Sequence, residues 1–299
     1  MTVRSTPGNL ASEYPSYALV TAAYNEEAFI GNTIQSIVEQ TVKPKRWVIV
    51  SDGSTDRTDE IVLRYAADHD FIQLVRITED HPRNWTAQVQ AIRTGYKALA
   101  HLEFDFIGNL DADITHEPEY FQRLLDKFAN VPNLGLAGGY IYEKQQGIFK
   151  VRPTNNTRSV PHAVQFFRRE CYDALDGYVA LPHGGPDWHA EVCVQMRGWS
   201  VESFPDLKVM HHRPTGTAGN LLKHWFRQGL MDFSLGSDPT FEIVKCIRRI
   251  PEKPIVLGAT ARLTGFVWSY ISRKKVLVSR EFVEYLRRDQ RERLRLFPR

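Results

Sequence analysis

Cysteine is scarce in this 299-residue chain: Cys171, Cys193 and Cys246 are too few to build a disulfide framework. The first residues carry no apolar segment of signal-peptide type. Together these absences make a reducing cytoplasm the default compartment. Internal repeats and low-complexity segments are lacking too, which excludes solenoid and disordered architectures. No basic stripe interleaved with aromatics runs through the body of the chain. The formal charge of +3 belongs to the C-terminus, where residues 272–299 hold ten Lys or Arg against four acids, leaving −3 for the rest. That distribution argues against a nucleic-acid partner. The tripeptides Asn84-Trp85-Thr86 and Asn155-Asn156-Thr157 fit a glycosylation pattern that has meaning only in a secreted chain.

What is present is enough apolar side chain, 42% of residues, to bury one sizeable domain plus an appendage. Strand-like runs at 17–24, 46–51, 71–77 and 104–110 alternate with helix-period segments, as in "EEAFIGNTIQSIVEQ". This alternation predicts an α/β fold, a mostly parallel sheet flanked by helices, with a helical C-terminal appendage. The expected organisation is a tail over 1–16, a catalytic unit over 17–236 and a helical region over 237–299.

Polar clusters follow three of the strands: "TAAYNEE" (21–27), "SDGSTD" (51–56) and "LDADIT" (110–115). In an open parallel sheet the ligand crevice lies at the carboxyl ends of the strands, so the three should converge. Asp111 and Asp113 flank the small Ala112 and point the same way on an extended segment. A hard divalent cation, Mn2+ or Mg2+, needs only one or two carboxylates beside water and phosphate oxygens, so this pair is a sufficient protein share for holding a diphosphate. In "VMHHRPTG" (209–216), strand alternation turns only one of His211 and His212 inward. His211, or else His212, is the candidate third ligand, and Arg213 suits contact with a leaving diphosphate.

"TAAYNEE", "VSDGSTDRT" and "NLDADI", in this order, resemble the donor-binding half of a family 2 glycosyltransferase of GT-A (Rossmann-like) fold. The resemblance spans roughly residues 17–215. It implies that Thr21, Ala23, Tyr24 and Glu26 line the nucleotide base and ribose, that Asp52 also holds the nucleoside, and that Asp111 touches ribose or metal while Asp113 binds the metal. It implies an inverting base at a helix start, which "GGPDWHAEVCVQMRGW" (184–199) offers as Asp187, with Glu191 one turn on as the fallback. Here the family more often shows Glu-Asp, whereas this chain has Pro186-Asp187. Where the family often places a basic residue near the diphosphate this chain has Gln88, and Arg83 is the better stand-in than Arg93. The implied partners are a nucleotide-sugar donor and a glycan or lipid-linked acceptor.

Two other classes are consistent with parts of the chain. "LDADIT" also resembles the nucleophile loop of haloacid-dehalogenase-type phosphatases, with Asp111 forming an acyl phosphate, but that loop belongs on a first strand and needs a later lysine and acidic pair. A catalytically silent scaffold of the same fold is the other. Finally, residues 254–272 carry one charge, Arg262, a pattern marginal for a spanning helix and consistent with a shallow or re-entrant seat or with an ordinary buried helix pair. With the basic, apolar-studded stretch behind it, the expectation is peripheral contact of residues 254–299 with the inner face of the plasma membrane. The contrasting expectation is a helix packed on the catalytic domain with its arginines in water.

Overall fold

The computed structural model describes residues 14–78, 85–213, 221–252 and 254–295. The four expected strand runs form β1 (Tyr17–Ala23), β2 (Arg46–Asp52), β3 (Ile72–Ile77) and β4 (Phe106–Asn109), interleaved with helices α1 (Ile30–Val38), α2 (Thr58–Asp68) and α3 (Trp85–Ala98). They lie parallel in the order β3-β2-β1-β4. Tyr17, Ala18, Leu19 and Val20 are all buried, since a strand covered on both faces reads as a continuous apolar run instead of an alternation.

The second half of the sheet is mixed. β8 (Phe166–Arg168) runs antiparallel to β4 and to β6 (Leu134–Gln145), and β6 runs parallel to β9 (Ser200–His211). The short β5 (Ile114–His116) closes antiparallel on the far end of β9, and β7 (Ile148–Val151) forms a hairpin with β6. The β6–β9 ladder contains a bulge: Gly139 pairs with Phe204 but Tyr140 pairs with Lys208, so Pro205 to Leu207 stand out of register. Helices α4 (Tyr120–Asn130), α5 (Arg169–Ala174) and α6 (Pro186–Met196) cover this half. An aromatic core fills the join, with Tyr17 stacked on Phe121 at 4.8 Å and Phe106 edge-on to Phe128 at 4.8 Å.

His116 is buried against Tyr120, ring centroids 4.4 Å apart, and neither ring nitrogen has a hydrogen-bond partner among the described residues. Burial lowers its pKa from 6.5 to about 3. The folded ring therefore stays neutral while the unfolded ring takes up a proton, so His116 adds stability above pH 6.5 that is lost as pH falls towards 3. His116→Leu is expected to flatten the acid limb of urea-unfolding stability, removing a slope of up to about 1.4 kcal/mol per pH unit. An unchanged acid limb would contradict this assignment.

The C-terminal region comprises α7 (Leu221–Ser234), α8 (Pro239–Arg248), α9 (Leu257–Ile271) and α10 (Arg280–Arg295). α7 and α9 meet backbone to backbone: a Cβ on Gly229 would lie 1.9 Å from the Arg262 carbonyl oxygen, and one on Gly265 would lie 2.1 Å from that of Phe226. Arg262, the lone charge of the stretch 254–272, is buried between these helices, the buried helix pair and not the shallow lipid seat of the two expectations. Its Nε donates to Glu242 at 2.9 Å and its guanidinium also pairs with Asp232, which accepts from Lys245 at 3.0 Å. Burial pushes both carboxyls up; Lys245 and Arg262 outweigh it at Asp232, holding that group low, whereas Glu242, beside Asp232, stays raised. No helix among the described residues is long and apolar enough to cross a membrane. On α10, Phe282 stacks on His189 of α6 at 4.8 Å, and Phe282 and Leu286 are buried with Leu181, Val192 and Leu235. These apolar side chains of the basic tail face the protein and are not available to lipid.

Candidate active site

The loops after β1 and β2 are tied to each other. Asn25, in a left-handed conformation with φ 52°, accepts from the Thr55 amide at 2.8 Å, and the Glu26 amide donates to Thr58 Oγ1 at 2.7 Å. Tyr24 is 43% exposed at the rim, and Asp52 ends β2 as a buried residue. Thr21 and Ala23 are buried within β1, and the Thr21 hydroxyl accepts from the Trp47 indole at 3.0 Å. Asp56 accepts from the Glu27 amide at 3.0 Å and the Thr58 hydroxyl at 2.6 Å, a role in the turn.

The segment between β4 and β5 carries the two aspartates. Thr33 of α1 donates to the Ala112 carbonyl at 2.7 Å and holds this segment in place. Pairing of β5 on β9 sets Ile114 opposite His211 and brings the imidazole to Asp113, with Nε2 to Oδ1 3.1 Å. One ligand atom each from Asp111, Asp113 and His211 lies within 4.8 Å of the others. His212 turns the opposite way, with Nε2 2.9 Å from Thr115 Oγ1 and its ring edge-on to Phe149. Arg213 lies over Phe29 at 5.1 Å, donates to Glu26 at 3.1 Å and approaches Asp113 at 3.7 Å. Burial raises the Glu26 carboxyl to about 6 against the pull of Arg213. Burial works against the charged form of His211, but Asp113 more than compensates and raises its pKa.

Sequence reasoning missed His162. It opens a short 3-10 turn after Pro161, in the stretch 140–186 where no helix or strand period points to a site. Its Nδ1 lies 3.5 Å from Asp111 Oδ1, its carbonyl accepts from Asn109 at 2.7 Å, and its Nε2 is buried with no hydrogen-bond partner among the described residues. Burial pushes the Asp111 carboxyl up, but His162, His211 and Arg152 outweigh it and hold it below the usual range.

Asp187 occupies the first turn of α6, after Gly184 and Gly185, whose φ values of 92° and 87° need glycine. Gln165 donates to the Asp187 carbonyl at 3.3 Å and the Val160 carbonyl at 3.0 Å, and accepts from Tyr178 at 2.6 Å. The Asp187 carboxylate is half-buried, has no partner among the described residues, and is close enough to His162 for its charge to favour the protonated ring. Glu191, the fallback base, is buried and accepts from the Val160 amide at 2.7 Å and the Ser159 hydroxyl at 3.0 Å. Its carboxylate therefore anchors the His162 turn to α6. Arg93 pairs at the surface with Asp176 at 3.4 Å, whereas Arg83 and the Pro-Thr-Gly turn at 214–216 lie outside the described residues.

Residues 18–183 match the family model for glycosyl transferase family 2. The chain belongs to glycosyltransferase family 2. The poly-beta-1,6-N-acetyl-D-glucosamine synthase of Staphylococcus aureus (strain COL) is 26% identical over 127 residues, 42% of this glycosyltransferase and 29% of the synthase. This chain thus corresponds to less than a third of that relative's length. Among solved structures, the mannosyltransferase PcManGT from Pyrobaculum calidifontis, in complex with GDP-Man and Mn2+, superposes with a TM-score of 0.56 at 20% identity, covering 95% of this chain and 81% of that one. TarS 1-349 of S. aureus in complex with UDP-GlcNAc gives 0.53 at 13% identity, over 86% and 73%. At such identities the likeness speaks for the GT-A fold alone. With the family known, the phosphatase reading of Asp111 falls away: its segment follows the fourth strand in sequence, inside the matched region.

Proposed function

We propose that this glycosyltransferase moves a sugar, with inversion, from a nucleotide-diphosphate sugar to a glycan or lipid-linked acceptor. The observation that carries the reading is the convergence of Asp111, Asp113 and His211; Asp187, at the start of α6, is near enough for its charge to act on His162, which lies beside Asp111. Two carboxylates and an imidazole fit a divalent cation, the nitrogen favouring Mn2+ over Mg2+, and His211 Nδ1 is buried without a hydrogen-bond partner among the described residues. When bound, the cation supplies positive charge against the diphosphate. Tyr24, Glu26 and Asp52 face the nucleoside, with Ala23 and Thr21 in the wall behind them. Arg213, held by Glu26, meets the negative charge that grows on the leaving diphosphate. Asp187 takes the proton of the acceptor hydroxyl while that oxygen attacks the anomeric carbon from the face opposite the leaving group. Complexes of the two structural neighbours with GDP-Man and UDP-GlcNAc support a nucleotide-sugar donor.

A thermal-shift screen of UDP- and GDP-sugars with and without Mn2+ tests this: one donor should stabilise the protein only when Mn2+ is present. No stabilisation by any sugar nucleotide would refute it. His162, which orients Asp111 through its Nδ1, gives a finer check. His162→Ala is expected to weaken Mn2+ affinity by about 10-fold or more with little change in the unfolding midpoint, as second partners of ligating carboxylates do. Unaltered Mn2+ titration would remove His162 from the site.

A further inference from the structure

The outer side of the C-terminal helices is apolar to a degree that the glycosyl-transfer site does not explain. On α9 the exposed positions Leu257, Thr260, Thr264, Val267, Trp268 and Ile271 recur at helical spacing, and none is charged. Ile271 is 70% exposed and Trp268 51%. On α8, which is joined to α9 through the Glu242–Arg262 pair, Ile243 and Ile247 form a second exposed stripe, and Ile255 and Val256 continue it in the turn between the helices. Isolated exposed apolar side chains are ordinary, whereas contiguous ones mark a contact surface.

Charge identifies the occupant. Between Glu252 and Glu281 the chain has no acidic residue. Among the described residues of that span, Arg262 is neutralised inside the helix layer, and Arg273, Lys274 and Lys275 follow Ser272 at the end of α9, exposed and without ion pairs. We propose that the outer side of α8 and α9 rests on an anionic lipid bilayer, with Trp268 and Tyr270 at headgroup level and Arg273 to Lys275 on the acidic headgroups. An uncharged stripe with interfacial aromatics and a cationic border is the pattern of a helix lying in the interface, and α9, at 15 residues, is too short to span. The seat is therefore α8 and α9 and not the basic helix α10, whose Phe282 and Leu286 are buried with Val192 of α6.

The same layer adjoins the acceptor side of the active site. Trp188, next to Asp187, lies beneath Lys245 of α8 at 5.6 Å, and Gly185 packs against Met231 of α7. Docking thus places Asp187 one helix layer from the lipid, a geometry suited to a lipid-linked acceptor. That last step rests on the proposed role of Asp187, whereas the docking itself does not.

The test is co-sedimentation of the full chain with phosphatidylcholine vesicles, with and without phosphatidylglycerol. Binding should require the anionic lipid. Replacing Arg273, Lys274 and Lys275 together by Gln should lower partition by about 100-fold, and Trp268→Ser with Ile271→Ser by about 10-fold or more. Both variants should keep their melting temperature and their response to sugar nucleotides, which separates failed docking from a failed reading of the active site. Recovery in the supernatant with both vesicle types, equal binding to neutral and anionic vesicles, or variants that bind like the unaltered protein would each overturn the proposal. So would a dimer broken by the Trp268 and Ile271 substitutions in a protein that ignores vesicles, because the occupant would then be a second copy of this chain.

Discussion

Asp187→Asn is expected to lower turnover by roughly 100-fold or more while leaving donor affinity intact. Asn has the shape of Asp and can serve the first turn of α6 almost as well, but its amide cannot accept the acceptor's proton. The backbone around it is fixed independently of the carboxylate, through the Gln165 bond to its carbonyl and the left-handed glycines before it. A loss confined to kcat, with nucleotide-sugar binding unchanged by calorimetry, is therefore the signature of the missing base. Glu191→Gln provides the contrast. Because Glu191 accepts from Val160 and Ser159, its loss should show first in stability and in the placement of the His162 turn. Normal turnover by Asp187→Asn would exclude it as the base.

Asp113→Ala should abolish Mn2+-dependent donor binding, weakening it by more than about 100-fold. Asp113 approaches both His211 and Arg213, at 3.1 and 3.7 Å, so its removal costs a ligand of the proposed metal site and also frees the two side chains proposed to flank the diphosphate. The side chain sits at the rim of the sheet and not within the aromatic core, and the unfolding midpoint should change little. Asp113→Asn keeps the shape and a hydrogen bond to His211 but halves the negative charge of the aspartate pair, and should fall between the two. If Asp113→Ala retains donor binding that responds to Mn2+, the cation is held elsewhere.

The parallel half of the fold was legible because its signals are local. Tyr17–Ala23 and Arg46–Asp52 are continuous apolar runs ending in polar clusters, and a strand buried on both faces needs nothing more distant to announce itself. Asp111 and Asp113 were legible for the same reason. The remaining features depend on partners far away in sequence. Nothing near His162 predicts that Glu191 will hold its turn or that Asp111 will lie beside it. Thr21 reads as a crevice residue from its motif, and only the fold shows its hydroxyl bonded to the Trp47 indole of the neighbouring strand. Arg262 reads as a charge in an apolar stretch, and only the packing of α7 and α8 supplies Asp232 and Glu242.

The bulge at Pro205–Leu207 sets the phase of everything downstream in β9. Side chains alternate with a period of two, so whether His211 or His212 looks at Asp113 is a matter of counting residues from the last fixed point. That point is the bulge, seated so closely on Gly139 that a Cβ there would lie 2.2 Å from the Leu207 carbonyl oxygen. Beyond it the ladder runs unbroken from the Tyr140–Lys208 pair to Glu143–His211, and the same His211 pairs with Ile114 on β5. A strand irregularity some distance away thus acts as the counter that decides which imidazole stands beside Asp113.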